Sequence, residues 1–300
     1  MMLYLSSYRI PTPNDLVGLL GKPLGSASVA LIPNAKDYYA KRAWDIKVGE
    51  LVSYMQQLGL KVDIVDLRDY SDADALKKKL SGYDLIWAMG GNTYMLRYEM
   101  HRSGFDQIIS GLLDAGTVYG GDSAGALVAG VSIAGVETAD EPEFAEELIK
   151  EGLSFVPFAI LPHVDNPEFA GVLPLFRDLH KDKDIIELKD SQAVIFDGDK
   201  HWVVATQSDS QAHEKESQAQ LSARLAEATK QVAVGARYRH YKELSYKVVA
   251  VALREEDNEP CVIYQAEYGD NVTWIRPISS WTEEVEVGGK QVKRFTKIEE

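Results

Sequence analysis

Thr117-Val118-Tyr119-Gly120-Gly121-Asp122-Ser123-Ala124-Gly125-Ala126-Leu127-Val128-Ala129 sets a glycine-flanked serine between a strand and a helix. A β-like run, Thr117 to Gly121, leads into a G-x-S-x-G at 121–125, and the helix-compatible Ala126-Leu127-Val128-Ala129 follows. A serine on a tight strand-to-helix turn stands clear of the sheet, and small neighbours let backbone close around it. The amide of Ala124, at the head of the helix, can then donate to an oxyanion with the helix dipole assisting. Alone the pattern is moderately specific, because glycine-rich β-to-α turns also arise for packing.

Working outward, short β-like runs recur at Leu3 to Ser7, Ser28 to Ile32, Lys61 to Leu67, Asp84 to Met89 and Phe158 to Leu161. Further runs follow at Asp184 to Leu188, Gln192 to Phe196 and Trp202 to Thr206. Between them Trp44 to Leu58 sets Trp44, Val48, Leu51, Val52 and Met55 at helical spacing, and Asn92 to His101 and Phe105 to Asp114 read as shorter helices. Strands alternating with helices predict an α/β domain, a mainly parallel sheet with helices on both faces. Gly90-Gly91-Asn92-Thr93 directly follows one strand. Glycines at a strand's C-terminal end let amides approach a ligand closely, so Gly91 or Gly90 is the candidate second oxyanion donor, with Asn92 as helix N-cap.

A serine nucleophile needs a base, and six histidines are available. His213 lies in a polar stretch, His240 near the C-terminus, His201 in a charged turn, and His101 and His180 at ends of charged helical segments. His163 ends the apolar run Phe158-Ala159-Ile160-Leu161-Pro162, which places it at the strand edge expected for Ser123 and Gly91. The carboxylate that would orient its ring is sought in Glu137-Thr138-Ala139-Asp140-Glu141-Pro142, with Asp140 chosen and Glu137, Glu141 and Asp165 as rivals.

Gly90-Gly91-Asn92-Thr93, Gly121-Asp122-Ser123-Ala124-Gly125-Ala126 and Pro162-His163, in that order, resemble the peptidase E family of serine peptidases, which includes cyanophycinases; the match covers roughly residues 1–207. The resemblance implies a flavodoxin-like fold related to class I glutamine amidotransferases, no metal or other cofactor, and a small peptide substrate. It implies a Ser-His-acid triad on Ser123, His163 and Asp140, with oxyanion donors from Gly91 or Gly90 and from Ala124. Peptidase E proper needs a cation for an aspartyl side chain, but the stretch after His163, Val164-Asp165-Asn166-Pro167-Glu168-Phe169, is acidic. Arg97, Arg102 and Arg177 are the substitutes considered, and the acidic surroundings equally suit a basic or amine-bearing substrate.

Composition changes after Thr206, where Ser208 to Ser217 has almost no apolar content, so a polar linker over 208–234 is expected, with Ala219 to Val232 a helical spacer. From Gly235 the pattern turns β-like at Lys247 to Leu253, Cys261 to Tyr268, Val272 to Pro277 and Val285-Glu286-Val287, with a Gly288-Gly289 turn; a small all-β domain is expected over 235–300. Tyr238-Arg239-His240-Tyr241-Lys242, Tyr264 to Asp270, Trp274-Ile275-Arg276-Pro277 and Arg294-Phe295 resemble a small bacterial β-domain family of unknown function. Its aromatics, interleaved with Arg237, Arg239, Lys242 and Arg276, read first as a small core and second as a surface for a peptide, carbohydrate or nucleic acid.

Net charge is −14, and residues 235–300 hold 10 Lys and Arg against 12 Asp and Glu, leaving 22 against 34 for the rest. A long polyanion would therefore meet general repulsion, and nucleic acid is not expected as a partner. The single Cys261, placed as a core thiol, excludes an internal disulfide and a cysteine-based metal cluster. No apolar stretch approaches a bilayer span, so no membrane association and a cytoplasmic location are expected. A homodimer is an assembly the sequence leaves open. The resulting expectation is a peptidase cleaving short or N-terminal peptides. A cyanophycinase-type isopeptide hydrolase is its rival, and so is an inactive binding protein if no carboxylate reaches His163.

Overall fold

The computed structural model describes residues 1–206, 210–254, 258–287 and 289–298. The expected boundary after Thr206, with Ser208 and Asp209 of the polar stretch, and Gly288 of the expected turn lie outside these residues. The chain divides into two compact units, Met1–Ser210 and Gln211–Glu300.

The first unit begins with β1 (Met2–Ser6), α1 (Pro13–Leu20), β2 (Ser28–Ile32), α2 (Lys41–Gln57), β3 (Lys61–Ile64), α3 (Ala73–Leu80) and β4 (Leu85–Ala88). It continues through α4 (Thr93–Arg102), α5 (Phe105–Asp114), β5 (Val118–Asp122), α6 (Ala124–Leu127), β6 (Ala159–Leu161), α7 (Val172–Leu179), β7 (Ile185–Glu187), β8 (Gln192–Asp197) and β9 (Lys200–Ala205). Seven strands form one sheet in the order β3-β2-β4-β5-β1-β8-β9. The first five are parallel, while β8 runs antiparallel to β1 and β9 to β8.

Alternation along each strand feeds two layers, as the period of two demands. Leu3, Leu5, Ile86, Ala88, Tyr119 and Val194 face the core covered by α3, α4, α5 and α7. Their neighbours Tyr4, Leu85, Trp87, Val118 and Ile195 face the opposite core with α1 and α2, where Val48, Leu51 and Met55 form the buried stripe of α2. Both faces are covered, which is why Leu85-Ile86-Trp87-Ala88 is apolar throughout. The run ending at His163 differs from expectation: β6 joins β7 in a separate two-stranded parallel ladder.

In the second unit, α8 (Ser210–Gln231), whose first residue is the last of the first unit, precedes β10 (Arg237–His240), β11 (Ser245–Leu253), β12 (Pro260–Ala266) and β13 (Thr273–Pro277). A short α9 (Ile278–Thr282), the hairpin β14 (Glu284–Val287) with β15 (Lys290–Lys293), and β16 (Phe295–Lys297) complete it. The main sheet has the order β13-β12-β11-β10-β16, antiparallel throughout. Tyr238, Tyr246, Tyr264, Trp281 and Phe295 fill its core, with Trp281 and Phe295 stacked at 3.8 Å, whereas Trp274 is exposed. Cys261 is buried. Ala228 and Val232 belong to this core, so the end of the expected spacer is part of the β unit.

Candidate active site

β5 delivers Ser123 into backbone angles, φ 51° and ψ −113°, that a non-glycine residue adopts only when its surroundings impose them. Backbone packs closely on both sides of Ser123, which requires glycine: a Cβ on Gly121 would lie 2.5 Å from the carbonyl carbon of Gly125, and one on Gly125 would lie 2.0 Å from the carbonyl oxygen of Ala88. The Ser123 N–H donates to the carbonyls of both Ser6 and Ser7, at 3.1 Å each. Helix α6 is a single turn, so the anticipated dipole is small and the first N–H groups themselves are what the turn offers. Neither the N–H of Ala124 nor that of Gly91 takes a backbone partner among the described residues.

Gly91 adopts φ 146°, and a Cβ there would meet the Ala35 carbonyl oxygen at 2.3 Å. Gly90 abuts the nucleophile turn, since its Cβ would stand 2.9 Å from the Ser123 Cβ. Asn92 is an N-cap, its Oδ1 accepting from the Met95 N–H at 2.9 Å, while its Nδ2 donates to the Glu141 carbonyl at 2.9 Å.

His163 Nε2 lies 2.9 Å from Ser123 Oγ. Its Nδ1 lies 2.5 Å from Oδ1 of Asp190, a residue absent from the sequence-based candidates. Asp140 is elsewhere: its Oδ2 accepts from the Thr93 N–H at 2.9 Å and the Thr93 hydroxyl at 2.5 Å, tying the acidic loop to the start of α4. Of the rivals, Glu137 is engaged with Lys150 and the Gly135 N–H and Asp165 with the N–H of Asp190, while Glu141 offers its carbonyl to Asn92 Nδ2. Asp165 thus helps hold the turn that carries Asp190. That turn is placed by the β6–β7 ladder, which pairs Leu161 with Glu187 and continues through Leu188 N–H to Leu161 O and Val164 N–H to Leu188 O. Residues just beyond each strand, His163 and Asp190, therefore emerge at one edge.

The Asp190 carboxylate also receives the Ser7 hydroxyl on Oδ1 at 3.0 Å and Asn166 Nδ2 on Oδ2 at 3.1 Å. Burial is the largest effect on it and opposes ionisation. The His163 hydrogen bond and charge, with the Ser7 and Asn166 donors, outweigh burial and hold the carboxyl below the usual carboxylate range. With an ionised acceptor on Nδ1, the ring's proton belongs there and Nε2 is left to accept from Ser123. Phe169 stacks on the imidazole, centroids 4.3 Å apart.

Asp122, beside the nucleophile, is buried and accepts from Trp87 Nε1 at 2.8 Å. Burial pushes its carboxyl up, opposed by Trp87, Lys36, His163 and Arg9. Burial likewise lowers the Lys36 ammonium, opposed first by Asp122. The three arginines considered for substrate recognition are tied into the fold: Arg97 to Asp106, Arg102 to Glu99 and Arg177 to Glu187. Among the described residues no cluster of His, Cys, Asp and Glu is arranged to hold a metal ion. No helix of the described residues is long and apolar enough to cross a membrane.

The mainly parallel α/β unit, with a serine turn held against a histidine at its edge, has the architecture of a peptidase domain. More particularly, the chain belongs to peptidase family S51, whose model matches residues 7–204; residues 236–297 match a family of unknown function, DUF1653. An uncharacterized peptidase of Listeria innocua is 36% identical over 119 residues, 39% of this chain and 56% of that protein. Peptidase E of Shewanella putrefaciens is 32% identical over 129 residues, 43% of this chain and 51% of that protein. The chain thus spans about half the length of the curated relatives it matches. A crystal structure of a Listeria monocytogenes EGD-e protein assigned to peptidase E superimposes with a TM-score of 0.59 and 26% identity, covering 68% of this chain and 98% of that one.

Proposed function

We propose that the chain is a serine peptidase acting on short or N-terminal peptide substrates through an acyl-enzyme, with Ser123 as nucleophile, His163 as base and Asp190 as orienting acid. The observation that carries the reading is the continuous hydrogen-bonded series from Ser123 Oγ through both ring nitrogens of His163 to Asp190. A histidine so held takes the Ser123 proton as Oγ attacks the scissile carbonyl, and Asp190 stabilises the imidazolium that forms. The N–H groups of Gly91 and Ala124 receive the oxyanion. Collapse breaks the C–N bond while His163 protonates the leaving amine. Water then attacks the ester, giving its proton to His163, and Ser123 leaves with that proton restored.

The Asp190 contact favours this reading over an inactive binding protein, since a carboxylate reaches the ring. On the substrate side, Lys36 follows β2, its neighbour Ala35 accepts from the Asn92 N–H, and it lies within Coulombic reach of Asp122 and Asp140. These neighbours support Lys36 as the cation that meets a substrate carboxylate. Hydrolysis of a library of dipeptides and isopeptides, compared between wild type and Ser123→Ala, tests the reading: cleavage lost in the variant supports it, and equal cleavage by both overturns it.

A further inference from the structure

We infer that Ser7 is the positioning residue of this site, one side chain and one carbonyl that together set the register of all three groups in the series. The inference rests on the serine-peptidase reading above and goes beyond it.

Ser7 follows the last residue of β1 and is fully buried. Its carbonyl accepts from the Ser123 N–H at 3.1 Å, fixing the strained nucleophile turn. Its hydroxyl accepts from the His163 N–H at 2.8 Å and donates to Asp190 Oδ1 at 3.0 Å. His163 itself sits at φ 62°, a left-handed conformation that a histidine keeps only when its backbone is held, and the Ser7 hydroxyl is what receives its N–H. The same oxygen is 3.3 Å from His163 Nδ1. A hydroxyl has one proton, and the ionised carboxylate is the stronger acceptor, so the proton goes to Asp190 and the lone pairs face His163. This leaves Nδ1 no role but to donate to Asp190. Ser7 thereby fixes the tautomer without touching the reacting atoms.

The arrangement has a chain-level logic. Nucleophile, base and acid come from three loops, after β5, β6 and β7, and the last two strands belong to a ladder apart from the main sheet. β1 pairs with β5 on one side and β8 on the other, so its C-terminal end is where those loops can be referenced to one another. The Ser7 N–H is itself anchored to the Gln192 carbonyl at 3.0 Å.

The test is the rate of Ser123 modification by a fluorophosphonate, followed by intact mass across pH, in wild type, Ser7→Ala and Ser7→Cys. Ser7→Ala keeps the carbonyl and removes the hydroxyl; its rate should fall about tenfold to a hundredfold, the effect of losing a hydrogen bond to a charged group. Because Asp190 then loses a donor, the acid side of the profile should move to higher pH, a change that a merely structural role would not produce. Ser7→Cys, filling the same space with a weaker donor, should fall between the two and guards against a misfolded alanine variant. A folded Ser7→Ala or Ser7→Cys with wild-type rate and profile overturns the inference while leaving the serine-peptidase reading intact. A wild type that is never modified removes that reading and the inference with it.

Discussion

Asp190 meets His163 from a turn 27 residues further along the chain, its Oδ1 2.5 Å from Nδ1. The contact separates two carboxylates that composition alone makes equivalent. Asp190→Asn should lower the rate of serine modification about 10³- to 10⁴-fold, because an amide in that place favours the wrong ring tautomer. Asp140→Asn, facing Thr93 at the start of α4, should leave the rate close to wild type. Parallel labelling kinetics on both variants check the assignment.

Asp122 should carry a pH-dependent cost in stability. Its folded-state pKa is raised by burial, so its contribution to stability is fully present below the unfolded value of about 3.9 and is lost as pH rises through the folded value. Asp122→Asn should therefore raise Tm at pH 7 by about 2–4 °C, the response to roughly 1 kcal/mol in a domain of this size, and by less near pH 4. Differential scanning calorimetry at both pH values measures it.

Gly91→Ala should cost at least about 2 kcal/mol or displace the turn, since the new methyl would stand 2.3 Å from the Ala35 carbonyl oxygen at a φ of 146°. Because that turn presents the candidate oxyanion donor, labelling should fall together with the denaturation midpoint. Urea unfolding and labelling on one preparation read both.

Lys36→Met should raise KM for substrates carrying a carboxylate near the scissile bond by about tenfold or more, the value of one charge-assisted contact, with kcat little changed. Paired substrates with and without the carboxylate provide the comparison.

The parts of this site legible in the sequence are those fixed by local chemistry. Gly121 and Gly125 flank Ser123 where a Cβ would meet neighbouring backbone, Gly90-Gly91 ends a continuous apolar strand, and His163 closes another. Asp190 carries no such mark: in Leu188-Lys189-Asp190-Ser191 it reads as a solvated turn, and only the parallel register of β6 on β7 brings it to the imidazole. The two short β-like runs at 158–161 and 184–188 are the available signal, since residues beyond paired parallel strands share an edge. Asp140 lies in an acidic loop, but its place is set by the Thr93 N–H, a helix-start donor with no intrahelical partner. The stretch after Ser210 reads as a linker from its polarity, yet it lacks Gly and Pro and is rich in Ala, Gln, Glu and Lys, which favour the long α8.

Every step of the proposed cycle depends on an activated Ser123, which intact-mass spectrometry after incubation with a fluorophosphonate detects. The wild type should carry one adduct, with a bond formed from Ser123 Oγ to phosphorus and fluoride released, and Ser123→Ala and His163→Ala should carry none. A folded wild type that stays unmodified under conditions that label a known serine hydrolase, or an adduct that survives in Ser123→Ala, would contradict the proposed cycle.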